Sequence, residues 1–203
     1  MDPQLRAAAD KLIFDLANVK VVATALPKGA LDRRVEATGR TLRETFAEIA
    51  ARQYAQAEGT ASYFAGRQLD AAGLEDEPAY QRERKRLGHK PALKDVFSSL
   101  EQSRDRLIRA YEAAAPPDEA LSAELRRQAH HIEPHAIDFA EAAPEIRLEP
   151  MLLTWALEAD FGDDAALSAR QLRLYEAVRA ELDAMHGDED GDEDGGDEEQ
   201  DAP

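Results

Sequence analysis

Residues 92–115, ALKDVFSSLEQSRDRLIRAYEAAA, decide the fold class of this chain. The apolar side chains of this stretch recur at helical spacing and share one face: Leu93, Val96, Phe97, Leu100, Leu107, Ile108 and Tyr111. Pro116 and Pro117 end the stretch, and Asp118 is a predicted N-cap for the helix that follows. The pattern predicts a long amphipathic helix that belongs to a helical bundle.

Two further helices are predicted before this stretch. The first runs over residues 3–26, where apolar residues such as Leu12, Leu16 and Val19 recur at steps of three and four. The second opens at Thr41-Leu-Arg-Glu44, a capping-box pattern, and reaches residue 58 or 59, with residues 60–66 as an extension. Residues 67–91 are predicted to be a connection with one short helix. The basic run at 82–86 fits an anionic partner, but a solvated surface is the commoner meaning.

The C-terminal half is also predicted to be helical. Residues 121–139 keep helical phase through Pro134, which we interpret as one kinked helix, with a break there as the alternative. A short buried helix is predicted from Met151 to about Asp160, with Trp155 at its centre. A last helix follows the Gly162–Asp164 cap and reaches Met185. No stretch alternates apolar and polar residues as a strand would, so the fold class is all-α.

Composition limits the function classes. The 203 residues include no cysteine, which excludes disulfides, thiolate metal sites and cysteine nucleophiles. No apolar run is long enough for a membrane span, and a cytoplasmic location is expected. Ten acidic residues and no basic residue lie in residues 186–203, which leaves 32 acidic against 25 basic residues elsewhere. We expect one domain over residues 1–185, a disordered acidic tail over 186–203, and no nucleic acid partner.

Three of the five histidines lie in residues 130–135, HHIEPH. His131 and His135 are four residues apart, so on a helix their rings share a face and can bind one metal ion. The alternative is that His135 is a core histidine bonded to a neighbouring helix, while His130 and His131 are partly exposed. Spacing alone does not choose between a metal site and a structural role.

These motifs resemble the DinB/YfiT-like superfamily of four-helix bundles, which have up-down-down-up topology and often bind a metal. Residues 41–50 resemble the family's second-helix motif, with Glu48 where the family places a histidine. Residues from Asp95 onward resemble its third helix, and His131 with His135 resembles its histidine pair. Pro134 departs from the pattern.

The resemblance implies a divalent metal (zinc, nickel, iron or manganese) held by His131, His135 and Glu48. Glu133 or His130 would then act as a proton carrier or as a partner to a ligand. The implied activity is that of a hydrolase or thiol transferase on a small-molecule substrate. The alternative is a non-catalytic helical interaction or scaffold protein that has lost the metal site; a homodimer is a further expectation.

Overall fold

The computed structural model describes residues 1–66 and 74–187, and these residues are all-helical. The α-helices are α1 (Pro3–Ala25), α2 (Leu42–Phe64), α3 (Glu77–Leu87), α4 (Leu93–Ala113), α5 (Glu119–Ala129), α6 (Pro134–Ala142), α7 (Pro150–Leu157) and α8 (Ala165–Gly187). Short 3-10 turns occupy Ala30–Asp32 and Pro144–Ile146. The β-pairing found in the described residues is an isolated bridge between Arg34 and Thr41. The predicted all-α class is therefore confirmed, whereas the up-down-down-up DinB-like bundle stays a prediction.

The helix ends follow the local signals in the sequence. The Thr41 side chain accepts from the Glu44 amide, and the Glu44 carboxylate accepts from the Thr41 amide, which completes the predicted capping box. Asp118 caps α5 by accepting from the Leu121 amide. Asp164 accepts from the amides at the start of α8. None of the helices in the described ranges is both long and apolar enough to cross a bilayer.

Two compact units divide the chain, residues 1–160 and residues 161–203. The first unit contains α1 to α7, and the second contains α8. This division falls at a different place from the predicted domain of residues 1–185, which stays a prediction. The tail was predicted to be disordered over residues 186–203, and residues 188–203 lie outside the described ranges.

The core of the first unit is built around α2. This helix packs against α3, α4 and α6, while α1 packs against α4, α5 and α7. Phe46 of α2 stacks on Phe139 of α6 with ring centroids 4.8 Å apart, and both side chains are fully buried. Gly59 lies within α2 because the backbone of Leu74 crosses there: a Cβ on Gly59 would be 1.7 Å from the Leu74 carbonyl oxygen.

The segment around Pro134 corrects the prediction of one kinked helix. The chain leaves α5 after Ala129 and starts α6 at Pro134, so the alternative, a break, is what the structure has. Pro134 lacks an amide proton and occupies the first turn of α6, where none is needed. Ile132 is fully buried in the intervening turn. Because Ile132 reaches the core from this turn, the apolar residues of the sequence keep their helical spacing although the helix itself is interrupted.

Candidate functional site

His131 and His135 do not share a helix face. His131 lies in the turn between α5 and α6, and His135 lies in the first turn of α6. The His131 Nδ1 atom is 2.8 Å from the Gln128 carbonyl oxygen, so Nδ1 donates and the lone pair lies on Nε2. That Nε2 atom is buried and has no hydrogen-bond partner. The expected pairing on one helix face is therefore wrong, because the helix that would create the face is absent.

Burial keeps the His131 ring neutral. It lowers the pKa of His131 to about 4; the Gln128 carbonyl opposes this effect, and the charge of His135 adds to it. Arg52 and the Ile49 carbonyl also act on this ring, which shows that it faces α2. A ring that is uncharged at neutral pH cannot act as a general acid there, although it can bind a metal ion through Nε2.

His135 is fixed by a carboxylate of its own helix. Its Nδ1 atom is 2.8 Å from Asp138 Oδ2, and both side chains are largely buried. A carboxylate on Nδ1 orients an imidazole and directs its lone pair to Nε2, as it does behind many metal-ligating histidines. Both rings thus use Nδ1 for an oxygen acceptor, His131 from a turn and His135 from a helix, and they are close enough for the charge of His135 to lower the pKa of His131.

Glu48 is surrounded by donors and cations. Its carboxylate accepts from the Tyr80 hydroxyl at 2.7 Å and lies 2.8 Å from Arg52 Nε, with Arg84 at 3.7 Å and Arg40 at 3.9 Å. Burial alone raises the pKa of Glu48, but the Tyr80 hydrogen bond and the three guanidinium groups outweigh it and hold the pKa below its ordinary value. Glu48 is therefore the anion that neutralises an arginine cluster.

This environment does not fit the role of Glu48 as a metal ligand. Three guanidinium groups around one carboxylate repel a divalent cation, although Glu48 Oε1 itself accepts no hydrogen bond among the described residues. Within residues 1–66 and 74–187, no three histidine, aspartate or glutamate side chains lie together as a metal site would require. The metal site of His131, His135 and Glu48 stays a prediction, and its third ligand is the part that the geometry opposes.

His130 and Glu133 belong to a different cluster, which we call the Lys11 network: Lys11, Asp15, His130 and Glu133. The Lys11 ammonium lies 2.5 Å from Asp15 Oδ2 and 2.7 Å from Glu133 Oε1. Glu133 Oε2 is 2.9 Å from His130 Nδ1. The two predicted proton carriers, His130 and Glu133, thus contact each other, and Glu133 also contacts Lys11 of α1. Neither of these contacts is to a predicted metal ligand.

Asp15 is the buried member of this network. Its side chain is fully inaccessible to solvent, and its Oδ1 atom has no hydrogen-bond partner. Burial raises the pKa of Asp15 to about 6; the Lys11 hydrogen bond and charge oppose this, and the charge of Glu133 adds to it. A carboxyl group with a pKa near 6 exchanges protons close to neutral pH, which is the property of acid–base groups in many active sites.

Lys11 and Glu133, two members of the Lys11 network, lie on the wall of an open cleft of about 410 Å³, which we call the α1–α7 cleft, while Asp15 is buried behind this wall. Lys11 and Phe14 of α1 and Glu133 form one side. The other side is α7 with the residues that follow it: Pro150, Met151, Thr154, Trp155, Glu158 and Ala159. A second, mostly apolar cavity of about 240 Å³ lies between α1 and α5 and is also lined by Lys11 and His130. The network therefore separates two cavities.

Sequence reasoning missed Lys11 and Asp15, although one signal was available. Asp15 lies three residues after Leu12 and four before Val19, on the apolar face that the periodicity of α1 defines. A carboxylate on that face is rarely buried without a partner, and Lys11 is four residues earlier, at the distance of a helical ion pair. The pairing with Glu133 has no such local signal.

Comparison of the chain with protein-family models, curated proteins and solved structures finds no match. The DinB-like resemblance therefore stays a prediction.

Proposed function

We propose that this protein binds a small organic molecule in the α1–α7 cleft, with the Lys11 network as the polar wall of the site. The observation that carries the proposal is the ammonium of Lys11, which bridges two carboxylates on one side of a cleft whose other side contains Trp155. Ligand sites are typically apolar clefts with a few convergent polar groups, among them groups of perturbed pKa.

The energetics of Asp15 support a functional role. A pKa raised from 3.8 to about 6 means that the ionised carboxylate costs the folded state about 3 kcal/mol at neutral pH. Stability alone favours a neutral side chain at this position. Residues that destabilise the fold are typical of sites maintained for binding or catalysis.

Trp155 makes the proposal directly testable, because it is the single tryptophan of the chain. Its side chain is buried at the edge of the cleft. We expect a neutral aromatic probe, 2-phenylethanol, to change the Trp155 emission saturably and with one-to-one stoichiometry. Thr154→Phe, which fills the cleft from its exposed rim, should abolish this change.

The control for the cleft variant is Thr24→Phe, which adds the same bulk to an exposed position of α1 outside the cleft. It should bind the probe as the unmodified protein does. Binding that survives Thr154→Phe would place the probe elsewhere and contradict the proposal.

A second candidate, the metal-dependent hydrolase or thiol transferase of DinB-like type, is favoured by one observation. His131 and His135 both use Nδ1 for an oxygen acceptor, which leaves Nε2 as the ligating atom of each ring. Elemental analysis of the purified protein beside the His131→Ala/His135→Ala variant tests it. Stoichiometric metal lost in the variant supports this candidate. Absence of metal in both proteins, after exposure to zinc, nickel, iron and manganese, contradicts it.

The non-catalytic scaffold is the outcome that remains if both tests fail. The homodimer expected from the sequence stays a prediction, and sedimentation of the full chain at several concentrations measures it directly.

A further inference from the structure

Charge is unequally distributed around the α1–α7 cleft. Among the described residues that line it, Lys11 is the one basic residue, and its ammonium is already shared between Asp15 and Glu133. Glu158 also lines the cleft; its side chain is exposed and makes no ion pair among the described residues. One lysine thus faces two glutamates, Glu133 and Glu158, on the wall of the cleft, so its lining carries an excess of negative charge.

The Glu158 carboxylate lies at the C-terminal end of α7. Glu158 is the C-cap of this helix, and its amide donates to the Thr154 carbonyl at 3.0 Å. This backbone hydrogen bond fixes the position of the residue at the rim of the cleft. A cation placed beside Glu158 is therefore attracted by a carboxylate that is held in place by the helix end.

Two aromatic side chains also line the cleft, Phe14 openly and Trp155 with 5% of its surface exposed. Trp155 lies one turn before Ala159 on the same wall, and Phe14 of α1 lines the opposite side with 56% of its surface exposed. Indole and phenyl faces attract cations and also pack against the apolar body of a ligand. An anionic ligand would meet the carboxylates of Glu133 and Glu158 and an ammonium group, that of Lys11, which is already paired.

We infer that the α1–α7 cleft selects organic cations, namely amines whose ammonium group lies at Glu158 and whose apolar body packs against Trp155 and Phe14. This inference rests on the proposed function, since it assigns the ligand class of the same cleft. It does not follow from the resemblance to metal-binding bundles, because neither Lys11 nor Glu158 belongs to the predicted metal site.

The test compares three probes that share a phenylethyl body: 2-phenylethylamine as the cation, 2-phenylethanol as the neutral molecule and 3-phenylpropanoate as the anion. Each is titrated into the full-length protein at neutral pH while Trp155 emission is recorded. We expect the amine to bind about fivefold more tightly than the alcohol, as for a favourable exposed ion pair, and the anion to bind more weakly than both.

Glu158→Gln removes the negative charge at the rim of the cleft and keeps the size of the side chain. This variant should lose the preference for the amine while its affinity for 2-phenylethanol stays unchanged. Glu149→Gln is the matched control, because Glu149 is an exposed glutamate at the other end of α7 and does not line the cleft. It should keep the preference, and added salt should reduce the preference in the unmodified protein.

The outcomes distinguish the two proposals. If the alcohol or the anion binds as tightly as the amine, or if Glu158→Gln keeps the preference, the inference is wrong and the cleft remains a ligand site of another class. If none of the three probes changes Trp155 emission up to millimolar concentration, the proposed function fails as well.

Discussion

Replacing Asp15 with asparagine should stabilise the protein at neutral pH and make it more sensitive to acid. Asparagine keeps the size of the side chain and removes the buried negative charge. Because the folded-state pKa of Asp15 is raised to about 6, its contribution to stability is fully present below 3.8 and is lost as the pH rises through about 6. The variant lacks this contribution at every pH.

His131 acts in the opposite direction. Its folded-state pKa is lowered from 6.5 to about 4, so its contribution is present above 6.5 and is lost as the pH falls through about 4. Each of these two pKa shifts, that of Asp15 and that of His131, changes the free energy of unfolding by about 3 kcal/mol. The two contributions therefore nearly cancel in the unmodified protein between about pH 4 and 6.5. In Asp15→Asn the effect of His131 is no longer offset by Asp15, and its share of the loss on acidification across that range should be about 3 kcal/mol.

Urea unfolding of the unmodified protein and of Asp15→Asn, followed by Trp155 emission and by circular dichroism at several pH values between 4 and 7, measures both effects. At pH 7 the variant should be more stable by up to about 3 kcal/mol, and this advantage should disappear near pH 4. Asp10→Asn is the control: Asp10 is exposed on the same helix, so its curve should run parallel to that of the unmodified protein.

One result would refute the reasoning. If Asp15→Asn is less stable than the unmodified protein at pH 7 and the difference does not change with pH, the ion pair with Lys11 outweighs the cost of burial. Asp15 would then be a structural residue, and its support for a ligand site would be lost.

Three further substitutions test contacts outside the cleft. Glu48→Gln leaves the guanidinium groups of Arg40, Arg52 and Arg84 without their shared anion, so the free energy of unfolding in urea should fall by about 2 kcal/mol; an unchanged value would mean that solvent already screens the cluster. Gly59→Ala improves helix propensity, yet it should destabilise by more than about 2 kcal/mol because its Cβ would overlap the Leu74 carbonyl oxygen; a higher melting temperature would show that the segment moves aside at little cost. Thr41→Ala removes half of the capping box and should cost about 1 kcal/mol in the same urea assay, and no loss would assign the stability of this helix start to packing alone.

The helices were predictable where local signals define them. The stretch of residues 92–115 gives α4 within two residues at either end, and the capping box at Thr41 places the start of α2. The extension of α2 past Gly59 was left open by the sequence, because a glycine inside a helix is unfavourable on propensity alone. Its reason is tertiary: Leu74 approaches the α2 backbone too closely for a side chain.

The candidate site was less predictable because it depends on a break in the chain. Helical spacing places His131 and His135 on one face only if the helix continues, and Pro134 begins a new helix instead. No local pattern shows that Glu48 meets Tyr80, which is 32 residues away, or that Glu133 reaches Lys11. The metal site predicted at the histidine cluster stays a prediction, because long-range packing determines the partners of each side chain.

The break at residues 130–133 also gives two adjacent histidines different environments. His130 is directed to Glu133 and thus to Lys11 on α1, whereas His131 is a buried ring that Arg52 and Ile49 of α2 influence. A continuous helix would separate these rings by about 100° and could not fix both through the same turn. The turn therefore places His131 against α2 and Glu133 against Lys11 of α1. If Asp15→Asn is more stable at neutral pH, as we expect, a scaffold selected for stability alone would gain from losing this carboxylate, and its presence would favour a site where the charge is used.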